Sequence, residues 1–177
     1  VIIMDLRIKK THKLLIDALF KLLKEKPFEN IKLTEICEEA MIHKTTFYNH
    51  FEDKYDLLKF AIMELQKNML EQINETEDIF SYYLNLARIY MKHIKENKDF
   101  YRSIILDEQN SICLDIFRNM FTHDIENKLK KEPLKVPINY FSHFYVSGVF
   151  EVITVWFKNG MKEDEETIIK YLELLLN

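Results

Sequence analysis

Turn-forming residues are scarce in this chain: its 177 residues include only two glycines and three prolines. A β-sandwich or a doubly wound α/β fold needs more punctuation than that between its short elements. Cysteine is equally thin. Cys37 and Cys113 stand far apart and form neither a disulfide framework nor a metal-ligand spacing. Each reads as a small apolar core residue in a reducing compartment. No apolar run reaches the roughly 18 residues of a membrane-spanning helix. The opening VIIM is too short for a signal peptide and soon meets charge. None of the six histidines stands in an HExxH-like spacing, and there is no Gly-rich phosphate loop and no GxSxG. The carboxylate pairs Glu38–Glu39 and Glu165–Glu166 fall on helix surfaces or termini. These absences predict a cytoplasmic protein that is not an enzyme, with no catalytic residues, no metal, no cofactor and no membrane partner.

What remains is 47% hydrophobic and 31% charged, a globular composition. The apolar residues recur with helical spacing, and the fold class expected is all-α, with about nine helices. The first runs from about Asp5 to Lys26, with Leu14, Leu15, Ala18, Leu19, Leu22 and Leu23 inward and Pro27 ending it. Short helices follow over about 33–40 and 44–51. Asp53 caps a longer one that runs to about 73. Further helices are expected over about 78–97, 99–108, 111–131, 138–159 and 164–176, with Pro137 opening the penultimate one and Gly160 closing it. The polar run at 74–78 is the best candidate boundary along the chain.

The densest concentration of chemistry is Leu33–Lys54. It reads as two short helices joined by a tight turn, the layout of a helix-turn-helix. Phe47 and Phe51 serve the core at i, i+4. Lys44, Thr45, Thr46, Tyr48, Asn49 and His50 are left over. Lys44 can donate to guanine or to phosphate, Asn49 can pair with adenine, and a threonine methyl can meet a thymine methyl. Tyr48 and His50 can bond phosphate oxygens, and Lys54 adds a charge and backbone N–H groups at the start of the fourth helix. Charge distribution agrees. The net charge is -4, yet residues 1–60 carry eleven Lys/Arg against ten Asp/Glu, and Arg7, Lys9, Lys10 and Lys13 form a cluster with no acid among them. The competing reading is a helical hairpin with a solvated polar face.

LTEICEEAMIHKTTFYNHFEDKYDLL resembles the N-terminal domain of the TetR (tetracycline-repressor) family of bacterial regulators. The matching positions are Ile36, Cys37, Ala40, Ile42, Thr46, Phe47, Tyr48, His50, Phe51, Lys54 and Leu57, and the resemblance covers about residues 8–60. More loosely, FYRSIIL at 100–106 and GVFEVITVWFKNGMKEDEETIIKYLELLL resemble the subgroup with a C-terminal domain of the dihydroxyacetone-kinase-regulator type. Three departures stand out. Met41 replaces the turn glycine, His43 the N-cap Ser or Asn of the recognition helix, and Lys32 the Thr that opens the second helix. A left-handed Met41 costs about 1 kcal/mol. Lys32 or a protonated His43 puts an extra charge near phosphate.

The resemblance implies a helix-turn-helix head over 1–52 and a regulatory, dimerising body over 53–177. It implies a homodimeric repressor on a double-stranded operator of two-fold symmetry, released by a small-molecule or protein effector. DNA contacts are then expected from Lys32, Thr34, Lys44, Thr45, Thr46, Tyr48, Asn49, His50 and Lys54. An effector pocket would draw on Tyr83, Tyr90, Phe100, Tyr101, Phe117, Phe121 and Phe144, although an aromatic stripe at helical spacing also reads as core. The last two helices would pair with those of a second subunit through Phe141, Tyr145, Gly148, Val152, Trp156, Tyr171 and Leu172, the alternative being a fully buried central helix. A helical adaptor of the same fold without DNA binding is the competing function.

Overall fold

The computed structural model describes residues 6–73, 79–106, 111–130 and 133–176. Among them there are nine α-helices, one 3-10 turn and no strand: α1 (Leu6–Leu23), the 3-10 turn Phe28–Asn30, α2 (Leu33–Glu39), α3 (Lys44–Tyr48), α4 (Lys54–Leu70), α5 (Ile79–Glu96), α6 (Lys98–Ile105), α7 (Ser111–Leu129), α8 (Ile138–Lys158) and α9 (Glu165–Leu176). The expected helices are therefore present, each within about three residues of its expected ends. The expected boundary at 74–78 lies outside the described residues.

The 3-10 turn is new. Pro27, at φ -54° and ψ 145°, stops α1 and leaves its carbonyl to accept from Asn30 N–H at 3.0 Å, which tightens the next residues into one short turn. That turn drives Phe28 fully into the core.

The chain divides into two compact units, Val1–Glu64 with Asp99–Cys113, and Leu65–Lys98 with Leu114–Asn177. In the first, Leu15, Leu19, Leu23, Phe28, Ile31, Ile36, Phe47, Leu57 and Leu58 are buried almost without remainder. Each such side chain contributes about 1.5–3 kcal/mol of transfer free energy. Helix α1 packs on α2, and α2 on α3. Leu14, expected inward, stands 40% exposed instead, because the α1 stripe is narrower than the leucine run and is filled by Leu15, Ala18, Leu19 and Leu22. Both cysteines are free and buried, and burial pushes the Cys113 thiol up to about 12.

In the second unit α9 packs on α5 and on α8. The α5–α9 contact is edged by Arg88–Glu166 and Lys95–Glu165 ion pairs at 2.6 and 3.0 Å. Helix α8 ends in a Schellman motif: Met161 N–H bonds Trp156 O, Gly160 N–H bonds Phe157 O, and Gly160 takes φ +80°. Beyond that turn, Trp156 Nε1 donates to Glu163 O at 2.9 Å. Asp164 then caps α9 by accepting from Thr167 N–H at 2.8 Å.

Candidate nucleic-acid interface

Helix α2 opens without a side-chain cap at Lys32, but Glu35 supplies the reciprocal half of a capping box. Its carboxylate accepts from Lys32 N–H at 2.8 Å and from Lys26 Nζ at 2.5 Å. The Lys26 ammonium and the Lys32 amide hold this carboxyl below its ordinary range. The turn to α3 is a second Schellman motif, with Ile42 N–H on Cys37 O at 2.9 Å and Met41 N–H on Glu38 O at 3.1 Å. Its left-handed residue is Met41, at φ +55° and 94% exposed. The motif that usually takes glycine is therefore intact in geometry, at a conformational cost of about 1 kcal/mol.

Helix α3 is short, but its hydrogen bonding runs on: His50 N–H and Phe51 N–H both donate to Phe47 O, at 2.9 and 3.0 Å. Phe47 is wholly buried and its ring meets Phe51 at 5.7 Å. With that face occupied, Lys44, Thr45, Tyr48 and Asn49 are exposed on the other, and Thr46 and His50 are half-buried. Tyr48 stands 58% exposed beside Phe47, ring edge to ring face. Lys32 is exposed and Thr34 half-buried at the start of α2. Arg7, Lys9, Lys10 and Lys13 are exposed along the first turns of α1. The α3 surface thus offers donors, acceptors and a methyl-bearing hydroxyl on one rigid turn, the equipment that reads base edges and phosphates.

Lys54 is placed differently from the expectation. Its ammonium donates to three backbone carbonyls, Phe28 O at 3.0 Å, Glu29 O at 3.1 Å and Ile31 O at 3.0 Å. It also lies 4.6 Å from the centroid of the Phe28 ring. An ammonium has three protons, and all three are used. The α4 N-terminus is likewise occupied, since Asp53 Oδ1 accepts from the backbone N–H of Tyr55 and Asp56 at 2.8 and 2.9 Å. Lys54 therefore clamps α4 to the 3-10 turn. No local sequence signal reveals this, because the partners lie 23–26 residues away and act through carbonyls that any residue possesses.

The aromatic residues expected around an effector are divided between the two units. Tyr90, Phe117, Phe121 and Phe150 pack ring on ring, with Tyr90–Phe121 at 5.1 Å and Phe121–Phe150 at 5.6 Å. Tyr83 donates to Asp124 Oδ2 at 3.1 Å in the same unit, and burial followed by the Asp124 charge pushes its hydroxyl pKa far up. Phe100 and Tyr101 belong to the other unit, where Phe100 meets Phe20 at 5.0 Å. Phe144 is 66% exposed on α8 and lines no core.

The expected interface residues also divide. Trp156 and Leu172 are 1% exposed, consumed by the α8–α9 contact and the indole hydrogen bond, so they are core. Phe141 and Tyr145 are half-buried and stack at 4.3 Å, with Tyr145 Oη donating to Leu176 O. Gly148 and Val152 are half-buried, and nothing approaches within 4 Å of the position a Gly148 Cβ would take. Tyr171 is exposed. The outward apolar face also carries residues beyond that expected set, Tyr140, Phe144 and Val155 on α8 and Leu174 and Leu175 on α9. A groove of about 450 Å³ runs between the two helices, lined by Val152, Val155, Tyr171, Leu174 and Leu175 with Glu151 and Glu163.

Among the described residues no helix is long and apolar enough to cross a membrane, and no group of three or more His, Cys, Asp or Glu could hold a metal ion.

Residues 15–60 match the family described as bacterial regulatory proteins of the tetR family, and residues 82–177 match a transcriptional regulator C-terminal region. A curated relative, the HTH-type dhaKLM operon transcriptional activator DhaS of Lactococcus lactis, is 27% identical over 68% of this chain, and the match spans 59% of that relative's own length. An HTH-type transcriptional regulator of Staphylococcus aureus is 28% identical over 85% of this chain and 67% of its own. Among solved structures, a TetR transcriptional regulator from Streptococcus agalactiae superposes with a TM-score of 0.74 at 24% identity, covering 98% of this chain and 97% of the other.

Proposed function

The chain belongs to the TetR family of bacterial transcriptional regulators, and from that premise we propose that it binds operator DNA through α3 as a cytoplasmic homodimer. The observation that carries the reading is the division of α3 into a buried Phe47 and an exposed Lys44, Thr45, Tyr48 and Asn49. Two such short helices bury too little to be retained for packing alone. Lys44 and Asn49 read base edges. Tyr48 and His50 hold phosphates, with Lys32, Thr34, Thr45 and Thr46 beside them, and the exposed cations of α1 add attraction that carries no sequence information. The functional division is a head over 1–52 and a body over 53–177.

The second copy is supported by the apolar face of α8 and α9. Six large apolar side chains, Tyr140, Phe144, Val155, Tyr171, Leu174 and Leu175, are each at least 46% exposed. Contiguous apolar surface of this kind marks an interaction site. A two-fold pairing of that face gives an isologous interface and two recognition helices for an operator of matching symmetry.

The body releases DNA when an effector favours a head spacing that does not fit successive major grooves, a population shift that requires differential affinity for the two states. Of the expected effector residues that share the second unit, Tyr83, Tyr90, Phe117 and Phe121 are buried or half-buried and Phe144 is exposed. Repression is the regulatory sense proposed.

The test is mobility shift of a duplex spanning the region upstream of the chain's own gene, with sedimentation equilibrium of the free protein. Retardation by a dimer, weakening steeply with salt, supports the reading. A folded dimer that retards no DNA at low salt establishes the adaptor alternative instead. A promoter fusion that rises with the protein, the sense in which the DhaS relative is named, reverses the assignment of repression.

A further inference from the structure

His12 of α1 has no part in the DNA contacts above, yet its imidazole is enclosed by rings from three other positions of the same unit. The centroid of His50, just past the end of α3, lies 5.1 Å away with the rings at 88°. Phe51 lies at 5.1 Å and Phe60 of α4 at 4.8 Å. His12 Nδ1 is buried and has no hydrogen-bond partner.

We propose that His12 is a proton-sensitive positioning residue for the recognition helix: neutral, it seats His50 against α1 and α4, and protonated, it displaces His50 and weakens the grip on DNA. The inference rests on the DNA-binding reading of α3. A neutral imidazole can leave Nδ1 as a bare lone pair at modest cost. An imidazolium carries N–H on both nitrogens, so one charged donor is then buried without an acceptor.

The groups that face His12 act in the same sense, on balance. Burial lowers its pKa first, His50 lowers it further, and Glu64 on α4 opposes both. Lys9 and Lys13, its neighbours on α1, are exposed. A phosphate bound to His50 favours the charged form of His50, which in turn disfavours a proton on His12. DNA and that proton are therefore antagonistic ligands, and the antagonism is reciprocal. The sign follows from linkage. A depressed folded-state pKa gives a contribution that is complete above the ordinary value of about 6.5 and is lost as pH falls below it.

The experiment compares the full-length protein with His12→Phe, which keeps the ring and removes the proton. Affinity for the upstream duplex is measured from about pH 7.5 to about pH 5, across the histidine range. A pH effect that does not pass through His12 is common to both proteins, so the ratio of the two affinities isolates the part that does. The ratio should grow in favour of His12→Phe as pH falls, by about tenfold across that range. Histidine C2–H resonances of the free wild-type protein supply a second readout. His12 should titrate below its ordinary value, and the His50 signal should show an inflection at the His12 midpoint. A flat affinity ratio, or a His50 signal blind to His12, overturns the inference while leaving DNA binding in place. No retardation at any pH overturns both.

Discussion

Replacing Lys54 by Met separates its two conceivable roles. Met keeps most of the stem over Phe28 and deletes the ammonium. The carbonyls of Phe28 and Ile31 are part-buried and that of Glu29 is exposed. The exposed carbonyl recovers a water. The other two lose a charged partner, at about 1–3 kcal/mol each, and the cation–π contact adds about 0.5–1 kcal/mol. The bonds share one donor group and are not additive. We therefore expect a loss of about 2–4 kcal/mol, or about 5–15 °C in melting temperature for a chain of this size. The assay is guanidinium unfolding followed by circular dichroism, paired with a salt titration of DNA binding at a temperature where the variant remains folded. A phosphate anchor behaves oppositely: stability barely moves, affinity falls on all sequences alike, and the salt dependence loses about one counterion. A Lys54→Met protein as stable as wild type, with that reduced salt slope, refutes the clamp.

Met41→Gly should stabilise the protein by about 1 kcal/mol in the same unfolding assay, because the left-handed position then carries no Cβ strain; the comparable change at Met161, φ +53°, is the natural control. Tyr48→Phe should weaken binding to operator and to unrelated duplex alike by about 1 kcal/mol, whereas Asn49→Ala or Lys44→Ala should relax base preference by about 1–3 kcal/mol at one position per half-site, read by mobility shift on single-base variants. Phe144→Glu places a charge on the exposed face of α8, 66% open in the single chain, and should yield a folded monomer in sedimentation equilibrium; an unchanged dimer would falsify the assignment of that face.

The helices were legible because their signals are local. Leu15, Ala18, Leu19, Leu22 and Leu23 repeat at helical spacing, Pro27 and Pro137 punctuate, and Gly160 closes α8 at the position its φ of +80° demands. The turn at Met41 was legible for the same reason, since a motif with one non-glycine substitution still has only one conformation that satisfies Ile42 N–H and Met41 N–H. What escaped the sequence is partner choice among chemically equivalent options. Trp156 and Phe144 sit on the same helix, the first expected at an interface and the second in a pocket. Periodicity gives the angle of each side chain about the helix axis but not which face the chain's own α9 will cover. Helix α9 covers Trp156, and its Glu163–Asp164 entry supplies the indole's acceptor, so the residue that looked most like an interface anchor is the one the monomer has already used.

The same ambiguity governs the charged residues of the head. Read from the sequence, Lys54, His50 and Tyr48 form one group of phosphate ligands, because each is polar, near the recognition helix and able to donate. In the structure their partners differ. Tyr48 faces outward, His50 shares a ring contact with His12, and Lys54 is turned onto three carbonyls. A cation near DNA can bond a phosphate directly only with a donor proton that is still available. The three bonds of Lys54 use those protons to fix the 3-10 turn to α4. The turn leads through Ile31 directly into α2, which carries the Schellman turn and α3. On the proposed DNA-binding reading, loss of the Lys54 clamp should therefore appear in the stability of the head before it appears in affinity.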